Sequence, residues 1–285
     1  MRKKIIYLVI VLCSTLNYAE DYEKKVYKNI NETPSSFGIH SDLAYSSYMI
    51  EIHSSEIDSA IDYNILEFTL GGSYSFKRWM WGIYSKFVID ELNSNLYINK
   101  TDQKLKDRAN IDKNEFAIYS NYTLREDSDN IYRVNLIYRE SSLNAQKSYL
   151  SYHQYNSIFK YKTQDLAISL LYHKKLFNNN SYFINIGTLY SKAKVEISES
   201  VNSQQQDTFI DDNSHTIGIK LGMGYNIKLS NSLFFNTRVD GWRSNFKRLK
   251  VQSRVGDRLP DAKLKECSYS IYGGITLILP TNSHQ

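Results

Sequence analysis

"HTIGIKLGMGYNIKL", residues His215 to Leu229, sets an apolar side chain at every second position. Ile217, Ile219, Leu221, Met223, Tyr225, Ile227 and Leu229 share one face; Thr216, Gly218, Lys220, Gly222, Gly224, Asn226 and Lys228 share the other. Period-two patterning of this length is a β-strand with one apolar side. Whether that side meets a protein core or a lipid decides the fold.

Working outward, the same alternation recurs at 37–52, 63–76, 79–97, 113–124, 131–139, 182–197, 233–246 and 266–279, and within "YHQYNSIFKYKTQDLAISLLYHKKLF" from Tyr152 to Phe177. That last stretch reads as one long strand or as two with a turn near Thr163–Asp165. Taken as one, the connections 77–78, 125–130, 177–181 and 230–231 are short, and 53–62, 98–112, 140–155, 198–213 and 247–265 are long and polar. Short and long then alternate without exception. A transmembrane barrel has this rhythm, with tight turns at one end and long loops at the other. A soluble sandwich has no reason for it, and its strands are usually about five or six residues long. Phe37, Phe76, Trp79, Trp81, Tyr182, Phe234 and Phe235 cluster where segments meet turns, as an interfacial girdle would. The fold expected is all-β: a ten-stranded antiparallel up-and-down transmembrane β-barrel, with twelve strands as the alternative count.

The start, "MRKKIIYLVIVLCSTLNYAEDYEKK", has a cationic head followed by an apolar run too short to span a bilayer. It reads as a signal peptide over 1–19, followed by a periplasmic lead over 20–36, the barrel over 37–280 and a tail over 281–285. Without residues 1–19 the chain has 32 Lys plus Arg against 30 Asp plus Glu, a net charge of +2 from the precursor's +5. That near-balance implies no nucleic-acid partner. Only Cys267 then remains, which excludes an intramolecular disulfide framework. It is read as a packed small residue where the last strand begins, at the outer rim. The six histidines are scattered, no metal-ligand spacing is present, and no cofactor is implied.

On this architecture the chain resembles the Gram-negative outer-membrane β-barrels over Phe37 to Leu279. The resemblance implies an outer-membrane location and insertion by the barrel-assembly machinery. One departure is that the last strand, "SYSIYGGITLIL", is followed by Pro280 to Gln285 rather than ending on a C-terminal aromatic. Ten tall strands also resemble the omptin proteases, which set an Asp pair against an Asp-x-His pair across the barrel rim. The positions here are Asp90 beside Glu91, and "IDDNSHTIG" with Asp212 and His215. Asp212 and His215 are three residues apart rather than two, and no Asp lies two positions from Asp90. An acyl-hydrolase site has only Ser169 and His173 to point to it.

The polar faces expected to line the lumen carry Asp42, Glu67, Lys86, Asp90, Glu115, Arg133, Arg139, Lys220, Arg238 and Asp240. Balanced charges of this kind suit either a plugged structural barrel or a narrow passive channel without strong ion preference. The last long loop is basic, and Lys247, Arg248, Lys250, Arg254 and Arg258 are candidates for contact with lipopolysaccharide phosphates. Three functions are expected, in this order: a non-enzymatic surface barrel presenting polar loops, a small channel, and an omptin-like rim protease.

Overall fold

The computed structural model describes residues 35–54, 58–97, 110–150, 154–201, 204–206, 208–209, 214–253 and 258–281. Ten long strands make one closed barrel: β1 (Ser36–His53), β2 (Asp58–Phe76), β3 (Trp79–Tyr97), β4 (Asn110–Glu126), β5 (Asn130–Leu150), β6 (Gln154–Lys175), β7 (Ser181–Val201), β10 (Ser214–Lys228), β11 (Leu233–Ser253) and β12 (Arg258–Pro280). Two short pieces, β8 (Gln204–Gln206) and β9 (Thr208–Phe209), pair with β7 and β11. Every pairing is antiparallel, β7 pairs directly with β10, and β1 closes the barrel on β12 from Ser36↔Pro280 to His53↔Lys263. The stretch around Thr163–Asp165 continues through β6 without a turn, so the count is ten. The expected signal peptide, nearly all of the lead, and residues 282–285 lie outside the described residues.

The four tight turns gather at one end. Lys77 takes φ 54°, which lets two residues join β2 to β3 with the twist a hairpin needs. Between β4 and β5, Asp127 Oδ1 accepts from the backbone N–H of Asn130 at 2.7 Å and from its side chain at 2.9 Å. These hydrogen bonds hold the Asp127 carboxyl below its ordinary value.

Along each strand the alternation inverts partway up. On the turn side of this change the outward side chains are large and apolar, from Leu170, 64% exposed, and Leu221, 53%, up to Ile217, 75%, beside Tyr190 at the boundary. Beyond a line through Tyr45, Phe87, Phe116, Tyr138, Leu166, Tyr190 and Tyr269, outward positions become Asp112, Asn114, Gln146, Lys160, Lys192, Arg243 and Lys263, all exposed. There the inward positions turn apolar: Ile50, Ile52, Ile61, Ile65, Phe159, Phe246, Leu249 and Leu264 are at most 1% exposed. One half of the wall is built for a lipid exterior and the other for water, on the same ten strands. On β10 the apolar face spans Ile217 to Ile227. At about 3.4 Å per residue and about 40° of tilt, that is about 26 Å, the height of a membrane-facing band.

The inversion explains where the expected loops went. Much of 140–155, 198–213 and 247–265 is ladder. β5 and β6 pair without a break from Asn130↔Lys174 to Leu150↔Gln154, and β11 and β12 stay paired to Gln252↔Arg258. Polar residues facing outward in these stretches imitate a loop when only lipid-type alternation is sought. The β5–β6 hairpin rises twelve residues past Tyr138, about 30 Å above the apolar band. Cys267 is correspondingly well inside β12, opposite Met49 and Arg243, as a half-buried free thiol rather than a residue at the rim.

Candidate functional site in the barrel interior

Between the glycine-rich half near the turns and the apolar half above, inward charges form one layer. Glu67 is fully buried and accepts from Lys113 Nζ at 2.7 Å, with Lys86 Nζ 3.7 Å away. Glu115 faces Lys86 at 3.6 Å, and Lys113 and Arg139 at 3.7 Å each, while Tyr84 donates to it at 3.1 Å. Arg139 Nε donates to Asp165 at 2.8 Å, and its guanidinium lies 4.1 Å over the Trp242 ring. Arg238 reaches Asp240 at 3.1 Å and Asp42 at 3.5 Å, and stacks 4.0 Å over Tyr272. Gly274 and Gly222 leave room for this cluster, because a Cβ on either would collide with the carboxylate of Asp42 or Asp240. Glu266 is held by Tyr161 at 2.8 Å and Trp242 at 3.4 Å, with no cation within ion-pair distance among the described residues.

Ions taken out of water are tolerated only when paired and hydrogen-bonded. Here nearly all are, and the aromatic rings of Trp242 and Tyr272 add cation–π contacts. What the arrangement does is tie strands together across the interior, β4 to β2, β11 to β1 and β3 to β12.

The structure brings Asp42, Glu67, Lys86, Glu115, Arg139, Lys220, Arg238 and Asp240 into this layer. Arg133 faces inward nearer the turns and donates to Thr123 at 3.3 Å, apart from the cluster. Sequence reasoning missed Lys113, Asp165 and Glu266, and with them Tyr48, Tyr84, Tyr161, Trp242 and Tyr272. For Lys113 the signal existed, two residues before Glu115 on the same strand face; Asp165 meets Arg139 only through the β5–β6 register.

Asp90 is a correction. Register shifts in the β2–β3 ladder skip Ile89 and Leu92, so Leu66 pairs with Asp90 and Ile65 with Glu91. Each bulge adds one residue and reverses the facing of the residues after it. Asp90 therefore points outward and is exposed, while Glu91 turns inward and accepts from Ile111 N–H at 3.1 Å. His215 is exposed on the outer face of β10, 6.0 Å from the Tyr190 ring. The rim pair does not form from these two residues, and Asp212 lies outside the described residues. His173 stacks on Phe183 at 5.3 Å, and Ser169 is four residues along β6, about 13 Å at strand rise, so they make no dyad. Of the basic loop candidates, Lys247 is exposed on β11; Arg254 and the side chains of Arg248, Lys250 and Arg258 lie outside the described residues.

No protein-family model matches the chain, and no curated protein sequence does. Solved structures do. The outer membrane protease OmpT from Escherichia coli aligns at 8% identity over 86% of this chain and 97% of its own, with a TM-score of 0.56. The translocator domain of the autotransporter NalP from Neisseria meningitidis aligns at 9% identity over 96% and 97%, TM-score 0.46. OprG from Pseudomonas aeruginosa aligns at 9% over 89% and 100%, TM-score 0.41. At such identities the likeness speaks to the fold alone, and the OmpT match agrees with the ladder: a closed, antiparallel ten-stranded barrel of a kind found in an outer-membrane protein.

Proposed function

We propose that this is a non-enzymatic integral outer-membrane barrel with a sealed lumen, which carries a tall polar wall and its loops outside the cell for surface interaction. The observation that carries the reading is the inverted half. Its inward residues pack as a soluble core does, with Ile52, Ile61 and Leu249 at 0% exposure across the path a solute would take. A narrow channel needs a continuous polar route through that layer, and a rim protease needs Asp90 and His215 to face each other. Insertion would use the barrel-assembly machinery.

Orientation is tested by thiol labelling in a Cys267→Ser background. Asn144→Cys, exposed above the apolar band, reacts with a membrane-impermeant maleimide on intact cells, and Leu221→Cys within the band stays unlabelled. Labelling of Asn144→Cys only after lysis would place the polar wall on the wrong side.

Lipopolysaccharide is the partner this reading gives the wall. A groove of about 570 Å3 crosses the outer surface from β3 to β7, with Lys162, Lys192 and Lys194 set above Phe87 and Phe116. Ammonium groups there meet phosphates while acyl chains lie on the band below. Replacing the three lysines by Ser lowers the lipopolysaccharide that co-purifies several-fold; an unchanged phosphate content per barrel would remove this partner.

A further inference from the structure

Within the charge layer a cavity of about 50 Å3 remains, room for one or two water-sized particles when a water takes about 30 Å3 of liquid. Lys86, Arg139, Lys220 and Arg238 line it against Glu115, Asp165 and Asp240. Lys86, Arg139 and Arg238 each meet a carboxylate within 4 Å. Lys220 is different. It projects from β10 into the cavity and has neither an ion pair nor a hydrogen bond among the described residues. Beside it, Arg238 Nε has no aligned acceptor although Asp240 lies 3.1 Å away. The one unsatisfied acceptor on the cavity wall, Glu115 Oε2, faces Lys113 and Arg139 at 3.7 Å.

Access is one-sided. Arg238 keeps 32% of its side chain exposed, Asp240 19% and Arg139 11%, whereas the apolar layer above is sealed. Solvent therefore reaches the cavity from the turn end. A buried donor without an acceptor and a cation with no carboxylate within ion-pair distance among the described residues, its nearest counter-charge Asp240 being shared with Arg238, are both costly, and a single particle of negative charge relieves both.

We propose that this cavity is a binding site for one small monovalent anion, of halide or formate size, held by Lys220 and Arg238 and entering from the turn end. The inference rests on the sealed-lumen reading for its one-sided access, not for the site itself.

Trp242 lines the same cavity, and the chain's other tryptophans, Trp79 and Trp81, stand on the outer face near the turns. A W79F/W81F barrel therefore reports from the site alone, with iodide as both ligand and contact quencher. The expected result is quenching that saturates and is relieved competitively by formate. Lys220→Gln loses the saturable part and Lys220→Arg keeps it, with folding of each variant checked by the shift of gel mobility on heating. Quenching that rises without saturation, or a folded Lys220→Gln that saturates like its parent, overturns the site. Should Lys220→Gln not fold, saturation and formate competition in the parent decide alone. An open, conducting lumen would contradict the sealed reading while leaving saturable quenching in place, so the two failures separate.

Discussion

Glu115→Ala is expected to destabilise the barrel by about 3–5 kcal/mol, the usual cost of removing one partner from a buried ionic network. The size comes from the cations left behind. Lys86, Lys113 and Arg139 all lie within 3.7 Å of this carboxylate, and Lys86 and Lys113 are only 3% exposed. Glu67 and Asp165 cannot neutralise three cations between them. The cost is that of breaking the network, not its worth against an apolar replacement, which can be near neutral. Arg125→Ala is the control: its pair with Asp127 is 3.8 Å long and its side chain 74% exposed, so its loss costs under about 1 kcal/mol. Urea unfolding in detergent, followed by heat-dependent gel mobility, compares the two. Equal costs would mean the layer is solvated.

Leu221→Arg in a lipid bilayer should cost about 2–4 kcal/mol, the penalty for a cation at the midplane on the lipid face of a barrel. Leu221 stands near the middle of the β10 apolar run and is 53% exposed. Asn144→Arg, outward on β5 above the band, should change stability by no more than about 0.5 kcal/mol. The contrast depends on what surrounds the wall, because both positions face away from the lumen. Refolding into vesicles across a urea series measures it. Similar small costs at both sites would mean that water, not lipid, touches the apolar face.

Legibility in the sequence divides at the line through Tyr138 and Tyr190. Below it, strand after strand alternates as a lipid-facing wall must, and the turns at 77–78 and 230–231 announce themselves; ten strands result. Above it the same period persists with its sides exchanged, so residues such as Asn144 and Gln146 read as loop while Leu143 and Ala145 build a core. The facing of Asp90 is hidden for a different reason. Bulges are an agreement between two strands, and nothing in β3 alone marks Ile89 and Leu92 as the skipped residues. The interior cluster is half visible: the charges on membrane-level strands can be sorted by parity, but Lys113, Asp165 and Glu266 belong to stretches that read as strand ends or loops. The pairing in three dimensions, Arg139 with Asp165 and Arg238 with Asp42, comes from register and closure, which no single segment encodes.

The proposed function depends on the apolar half closing the lumen. Single-channel recording of the refolded, detergent-purified barrel in a planar bilayer tests that closure most directly, once heating has been shown to shift its gel mobility. A sealed lumen predicts silence from folded, inserted protein at all applied voltages. Steady, reproducible current steps would contradict it, because ions would then be crossing the layer of Ile52, Ile61 and Leu249 that the structure fills.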